Sequence, residues 1–281
     1  MGRRAGSRRE ARRSQADAGS GLTTIRAVVA YDGTNFSGMQ FQPRERTVAG
    51  ELEKTFSTLL AHDVKLTCAG RTDSGVHASG QVVSFRSGSA FPFERLPIAS
   101  NSALADDVSV LDAHRVRDSF SARFSAIERT YVYAIYAAPQ RSALYARFAY
   151  HVWMPLDLRA FEAGARHLIG EHDFRSFCGV LPLRGPTTRT VQQLSVERRG
   201  NIVRIEIRAD GFLHRMVRTI VGTLLECAMG RRNADEMPAI LAARNRKAAG
   251  LTAPARGLYL AGVRYRDGFD SLVEPAITFS G

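Results

Sequence analysis

Short runs of strand-forming residues dominate the chain, and helical spacing is confined to a few windows. Residues 24–31 form a β-rich run that closes in the turn Asp32-Gly33-Thr34-Asn35. Thr47 is placed to cap a helix on which Val48, Leu52, Phe56, Leu59 and Leu60 share one face. A short strand is predicted over residues 64–69, a polar loop over 70–80 and a further strand over 81–85. Pro92 and Pro97 leave no helix placed before the strand predicted at 108–116.

The second half repeats the mixture. Residues 129–137 (Arg-Thr-Tyr-Val-Tyr-Ala-Ile-Tyr-Ala) should cross a sheet, with Tyr131 and Tyr133 on one face and Tyr136 on the other. Asp157 caps a helix carrying Leu158, Phe161, Ala165, Leu168 and Ile169. Residues 191–197 and 202–207 read as a hairpin around Arg199-Gly200-Asn201. The clearest helix spans 212–229, where Leu213, Met216, Val217, Ile220, Val221, Leu224, Leu225 and Ala228 make one stripe that Gly230 ends. Asn233 and Glu236 have capping-box spacing, and residues 258–265 close the pattern as a strand.

Strands outnumber helices without alternating regularly with them. The expected class is therefore α+β, with mostly antiparallel sheet flanked by helices. Each half holds strands and one long amphipathic helix, which predicts two related domains, at residues 23–120 and 121–281. Residues 1–22 precede them as a basic arm with no apolar core, read as disordered, with a transit peptide as the competing reading.

Charge changes the picture more than bulk composition does. Over 281 residues, 39 Lys and Arg stand against 27 Asp and Glu, a formal charge of +12. Arg3, Arg4, Arg8, Arg9, Arg12 and Arg13 set a third of that excess in the arm, against Glu10 and Asp17. The remainder belongs to the folded part and favours a polyanionic partner, nucleic acid being the commonest. No apolar run reaches membrane-spanning length. Cys68, Cys178 and Cys227 are too few and too scattered for a disulfide framework or a zinc site, so a reducing cytoplasm and no metal are expected.

The most unusual stretch is Gly70-Arg71-Thr72-Asp73-Ser74-Gly75-Val76-His77-Ala78, which packs a cation, two hydroxyls, a carboxylate and an imidazole between two strands. Arg71 is close enough in sequence to pair with Asp73 and keep it ionised, ready to act as nucleophile, base or ligand. Asp-Ser-Gly is equally an ordinary turn signature. Tyr131 could stack on an extruded base or simply pack the sheet face. Arg215 and Arg218 fall off the helical stripe, facing phosphate or water. No P-loop, dinucleotide fingerprint or nucleophile elbow is present.

Ala-Gly-Arg-Thr-Asp-Ser-Gly-Val-His-Ala, at residues 69–78, resembles the catalytic motif of TruA-type tRNA pseudouridine synthases, with Ser74 where that family has alanine. The resemblance continues in register through Tyr31-Asp32-Gly33-Thr34-Asn35-Phe36-Ser37-Gly38, Phe120-Ser121-Ala122-Arg123-Phe124, Gly170-Glu171-His172-Asp173-Phe174, Phe212-Leu213-His214-Arg215-Met216-Val217-Arg218 and Gly257-Leu258-Tyr259-Leu260. It departs at Met39, where the family has tryptophan, at Ser121, where it has histidine, and at residues 102–106.

The resemblance implies two domains around an active-site cleft and isomerisation of uridines 38, 39 and 40 in the tRNA anticodon stem-loop. It further implies a homodimer and no cofactor. It makes Asp73 the nucleophile, attacking ribose C1′ or base C6. Arg71 would fill the space of the flipped base or steady Asp73, and Tyr131 would stack on the base and assist proton transfer. Arg218 would pair with Asp73 or hold substrate, and Leu258 would line the pocket. The alternative is a tRNA-binding or chaperone protein of the same fold without turnover.

Overall fold

The computed structural model describes residues 21–273 and 275. The expected basic arm therefore lies, but for its last two residues, outside the described residues. Among the described residues ten strands form one sheet: β1 (Thr23–Tyr31), β2 (Thr67–Cys68), β3 (His77–Ser87), β4 (Val108–Val116), β5 (Ala126–Ala137), β6 (Tyr150–Val152), β7 (Gly170–Asp173), β8 (Thr188–Arg199), β9 (Ile202–Ala209) and β10 (Leu258–Tyr265). Their order is β4-β1-β3-β10-β5-β9-β8-β7, with β2 on β3 and β6 on β5. All pairings are antiparallel except β3–β10 and β5–β6. The expected α+β class holds.

Strands from residues 23–120 occupy one end of this sheet and those from 121–265 the other. They meet at β3–β10, a parallel joint of only two pairs, Tyr259 with His77 and Leu260 with Ala78. Beyond those two rungs the returning chain fills the gap. Ser271 N–H donates to Val263 O at 3.1 Å and Val273 N–H to Ala261 O at 2.9 Å. Ser271 Oγ reaches across to Gly80 O at 2.8 Å. A Cβ on Gly80 would lie 2.4 Å from Ser271 O, so only glycine lets the segment in.

Five α-helices occur among the described residues: α1 (Val48–Leu60), α2 (Leu96–Asn101), α3 (Leu158–Arg166), α4 (Met216–Ala228) and α5 (Met237–Ala243). None is long and apolar enough to cross a membrane. The two long ones form where the periodicity places them. Thr47 caps α1 through Gly50 N–H at 3.2 Å, and Val48, Leu52, Phe56 and Leu60 are buried. Helix α4 buries Met216, Val217, Ile220, Val221, Leu224, Leu225 and Ala228. It starts at Met216 rather than at 212, because Arg215 takes a left-handed conformation (φ 58°) that no helix interior allows.

Other expectations shift locally. β3 begins at His77, so the loop is shorter than predicted and β2 keeps only two residues. α3 stops at Arg166, short of Leu168 and Ile169. α2 exists despite Pro97, which sits in its first turn, where the missing N–H costs nothing. Asn233 and Glu236 do make a capping box, over a 3-10 turn that leads into α5.

Candidate active site

Residues 70–76 leave β2 and enter β3 as a tight loop, and buried contacts hold it at both ends. At the front, the fully buried Gln81 side chain brackets the Gly70 peptide. Gly70 N–H donates to its Oε1 at 3.1 Å, and its Nε2 donates to Gly70 O at 2.7 Å. At the back, Gly33 packs so closely that a Cβ there would lie 2.0 Å from Val76 O. Gly33 N–H donates to His77 Nδ1 at 3.0 Å, while His77 Nε2 faces Arg147 O and Arg256 O at 3.1 and 3.2 Å. That pattern requires a neutral ring protonated on Nε2. A protonated Nδ1 would lose the Gly33 bond, although Asp32 lies 3.2 Å away. Burial accordingly lowers the His77 pKa, with Asp32 opposing. His77 is thus a fixture of the loop.

Between these fixtures Asp73 points into a cleft of about 1100 Å³. Arg218, on the first turn of α4, donates from Nη1 to Asp73 Oδ2 at 2.9 Å and from Nε to Ala253 O at 2.8 Å. His214 Nε2 lies 3.7 Å from Oδ1 and Arg215 Nε 3.9 Å from Oδ2. The left-handed backbone of Arg215 lets 214, 215 and 218 converge on one carboxylate. Gly179 leaves room for them: a Cβ there would come within 2.9 Å of the His214 ring.

Arg71 does not pair with Asp73, contrary to the expected ion pair. Arg71 is instead exposed at the cleft wall. The cation on Asp73 is Arg218, 145 residues away in sequence. Tyr131 is buried in the cleft wall, edge-on to Phe212 with centroids 5.0 Å apart and planes at 87°. Burial, with Tyr31 and Asp73 nearby, raises its pKa well above the ordinary tyrosine range. Leu258, buried at the start of β10 opposite Tyr133, also lines the cleft.

Six arginines (71, 123, 129, 189, 215 and 218) face this space against Asp73 and Asp210. Arg129 is half-buried and braces the wall through the carbonyls of Arg123, Ala126 and Asp210. Sequence reasoning did not find the part played here by Gln81, Arg129 and His214. Their types are common and their partners distant, so no local spacing marks them. Met39, where tryptophan was expected, is fully buried, and its N–H donates to Thr72 O at 3.1 Å. No three His, Cys, Asp or Glu come together as a metal site among the described residues.

A family model for tRNA pseudouridine synthase matches residues 27–125 and 165–266, which include the loop, the cleft walls and α4. A tRNA pseudouridine synthase A of Halalkalibacterium halodurans is 46% identical over 231 residues, covering 82% of this chain and 88% of its own. Those of Brevibacillus brevis and Moorella thermoacetica are each 44% identical, over 87% of this chain and all of theirs. Family model and relatives agree, and the chain belongs to the tRNA pseudouridine synthase family.

Proposed function

We propose that the chain isomerises uridine to pseudouridine at positions 38, 39 and 40 of the tRNA anticodon stem-loop, with Asp73 as nucleophile. The observation that carries this reading is the convergence of Arg218, His214 and Arg215 on a carboxylate at the floor of an arginine-lined cleft. Arg218 holds Oδ2 and leaves Oδ1 for the substrate. Attack at C1′ breaks the bond from C1′ to N1 and leaves the pair on the base. The base turns, C5 bonds to C1′ and Asp73 departs. C5 then loses its proton and N1 gains one, so no electron or group is left over.

Extruding a base from its stack costs a few kcal/mol. Phosphate contacts to the cleft arginines and stacking on Tyr131 offset that cost. Arg71, exposed on the wall, takes the space of the flipped base, and Leu258 packs the pocket floor. The chain works as a cytoplasmic homodimer, with residues 23–120 and 121–281 as its two domains.

The test is tritium release from tRNA labelled at uridine C5, with wild type and Asp73→Ala and no added cofactor. Release by the wild type alone is expected, with tRNA bound by both proteins. Release by the variant at the wild-type rate overturns the role of Asp73. Binding without release by either points to a tRNA-binding protein without turnover.

A further inference from the structure

The Gln81 bracket does not end at Gly70. Its Nε2 also lies 3.4 Å from Tyr31 Oη, and Tyr31 Oη is 2.7 Å from Thr72 Oγ1. All three side chains are buried, Gln81 completely. They come from β3, β1 and the loop itself, and they touch the residue three before Asp73 and the residue just before it. Proton accounting fixes the direction at Gln81. Gln81 Oε1 accepts from Gly70 N–H, which orients the amide, so Nε2 is the donor both to Gly70 O and to Tyr31 Oη. Tyr31 Oη and Thr72 Oγ1 then share a hydrogen bond in which either hydroxyl can be the donor. Burial raises the Tyr31 pKa and keeps the phenol protonated.

We propose that Gln81, Tyr31 and Thr72 form a positioning relay that sets the direction of the Asp73 carboxylate for attack. It rests on the reading of Asp73 as nucleophile. Two further bonds make this more than core filling. Met39 N–H holds the Thr72 carbonyl at 3.1 Å, so with the relay both the backbone and the side chain of Thr72 are pinned. Asp73 itself takes its side-chain bond from Arg218, which hangs on Ala253 O and α4. The carboxylate is thus fixed from the α4 side by a charge and from the β1–β3 side by the relay. The two supports come from opposite ends of the sheet. Loss of either leaves the cation or the loop in place and moves Asp73 relative to the bound sugar. An error of about an ångström at a reacting atom can cost roughly a hundredfold in rate.

The test compares Thr72→Val, Thr72→Ser and Tyr31→Phe with the wild type and Asp73→Ala. Single-turnover rates on bound tRNA and tRNA dissociation constants are measured separately. Valine keeps the shape of threonine and phenylalanine that of tyrosine, so both variants retain the fold. Their melting temperatures are recorded alongside.

The relay predicts single-turnover rates lowered roughly ten- to a hundredfold in Thr72→Val and Tyr31→Phe, with tRNA affinity within about twofold. Thr72→Ser keeps the wild-type rate because it restores the hydroxyl. The double variant Tyr31→Phe/Thr72→Val falls no further than the worse single, since both break the same bond. Wild-type rates in Thr72→Val or Tyr31→Phe, slow turnover in Thr72→Ser, additive losses, or losses confined to affinity overturn the relay. Asp73→Ala separates the two readings. If it stays active, the nucleophile assignment fails; if it is dead while the hydroxyl variants are fast, only the relay fails.

Discussion

Tyr131 shows how far burial alone can decide between two roles for one side chain. Its ring is enclosed in the cleft wall and edge-on to Phe212. Burial, then Tyr31 and Asp73, push its pKa upward, so the phenol holds its proton at neutral pH and is a poor base. What remains is the face of the ring. Tyr131→Phe should therefore keep turnover within about tenfold, with an unchanged pH–rate profile near neutrality. Tyr131→Leu should lose the stacking contribution, about 1–3 kcal/mol, which is roughly one to two orders of magnitude in rate. A Phe variant as slow as the Leu variant would hand the role back to the hydroxyl. Arg71 and Arg218 carry a related lesson. Nearness in sequence suggested Arg71 as the partner of Asp73, but Arg71 is exposed at the cleft wall and Arg218, 145 residues away, takes the carboxylate.

Helix α4 is the element on which the site depends most, and its packing inverts an ordinary rule. An alanine in place of a mid-helix glycine normally gains about 1 kcal/mol. At Gly222 a Cβ would lie 1.8 Å from Leu251 O, and the segment behind it gives Ala253 N–H to Arg218 O at 3.0 Å and takes Arg218 Nε on Ala253 O. Gly222→Ala should thus lower the melting temperature and slow turnover together, by shifting the shelf on which Arg218 rests. A variant more stable than wild type and equally fast would show that the shelf gives way freely.

The same elements show what a sequence can disclose. β1, α1 with its Thr47 cap, the β8–β9 hairpin and β10 were legible because each carries its own period or punctuation. β7, with the polar run Gly-Glu-His-Asp, and the three-residue β6 were not, since pairing with a neighbour makes them strands. In the cleft, Asp73 was legible as a candidate from its motif. The relay through Gln81 was hidden, because it joins residues 31, 72 and 81 across two strands and a loop.

For the whole molecule, charge and strand order matter most. The cleft faces six arginines to two aspartates, a local surplus of four. If that surplus meets four phosphates, tRNA affinity should fall by about two orders of magnitude between about 50 and 200 mM salt. Single-turnover rates of the bound complex should barely change over that range, because contacts formed by Asp73 are inside the cleft. A flat salt response would mean that these arginines do not face the backbone. The strand order has a consequence for how the enzyme comes into being. β10, the last strand among the described residues, is seated in the interior of the sheet, between β3 and β5. While the ribosome is still extending the chain, the facing edges of β3 and β5 have nothing to pair with, and unpaired edges invite aggregation. At about 5–20 residues per second, roughly 10–40 s separate synthesis of the catalytic loop from that of β10. For that interval the nascent chain carries Asp73 but only part of a pocket, and Leu258, which lines it, arrives with the strand that seals the sheet.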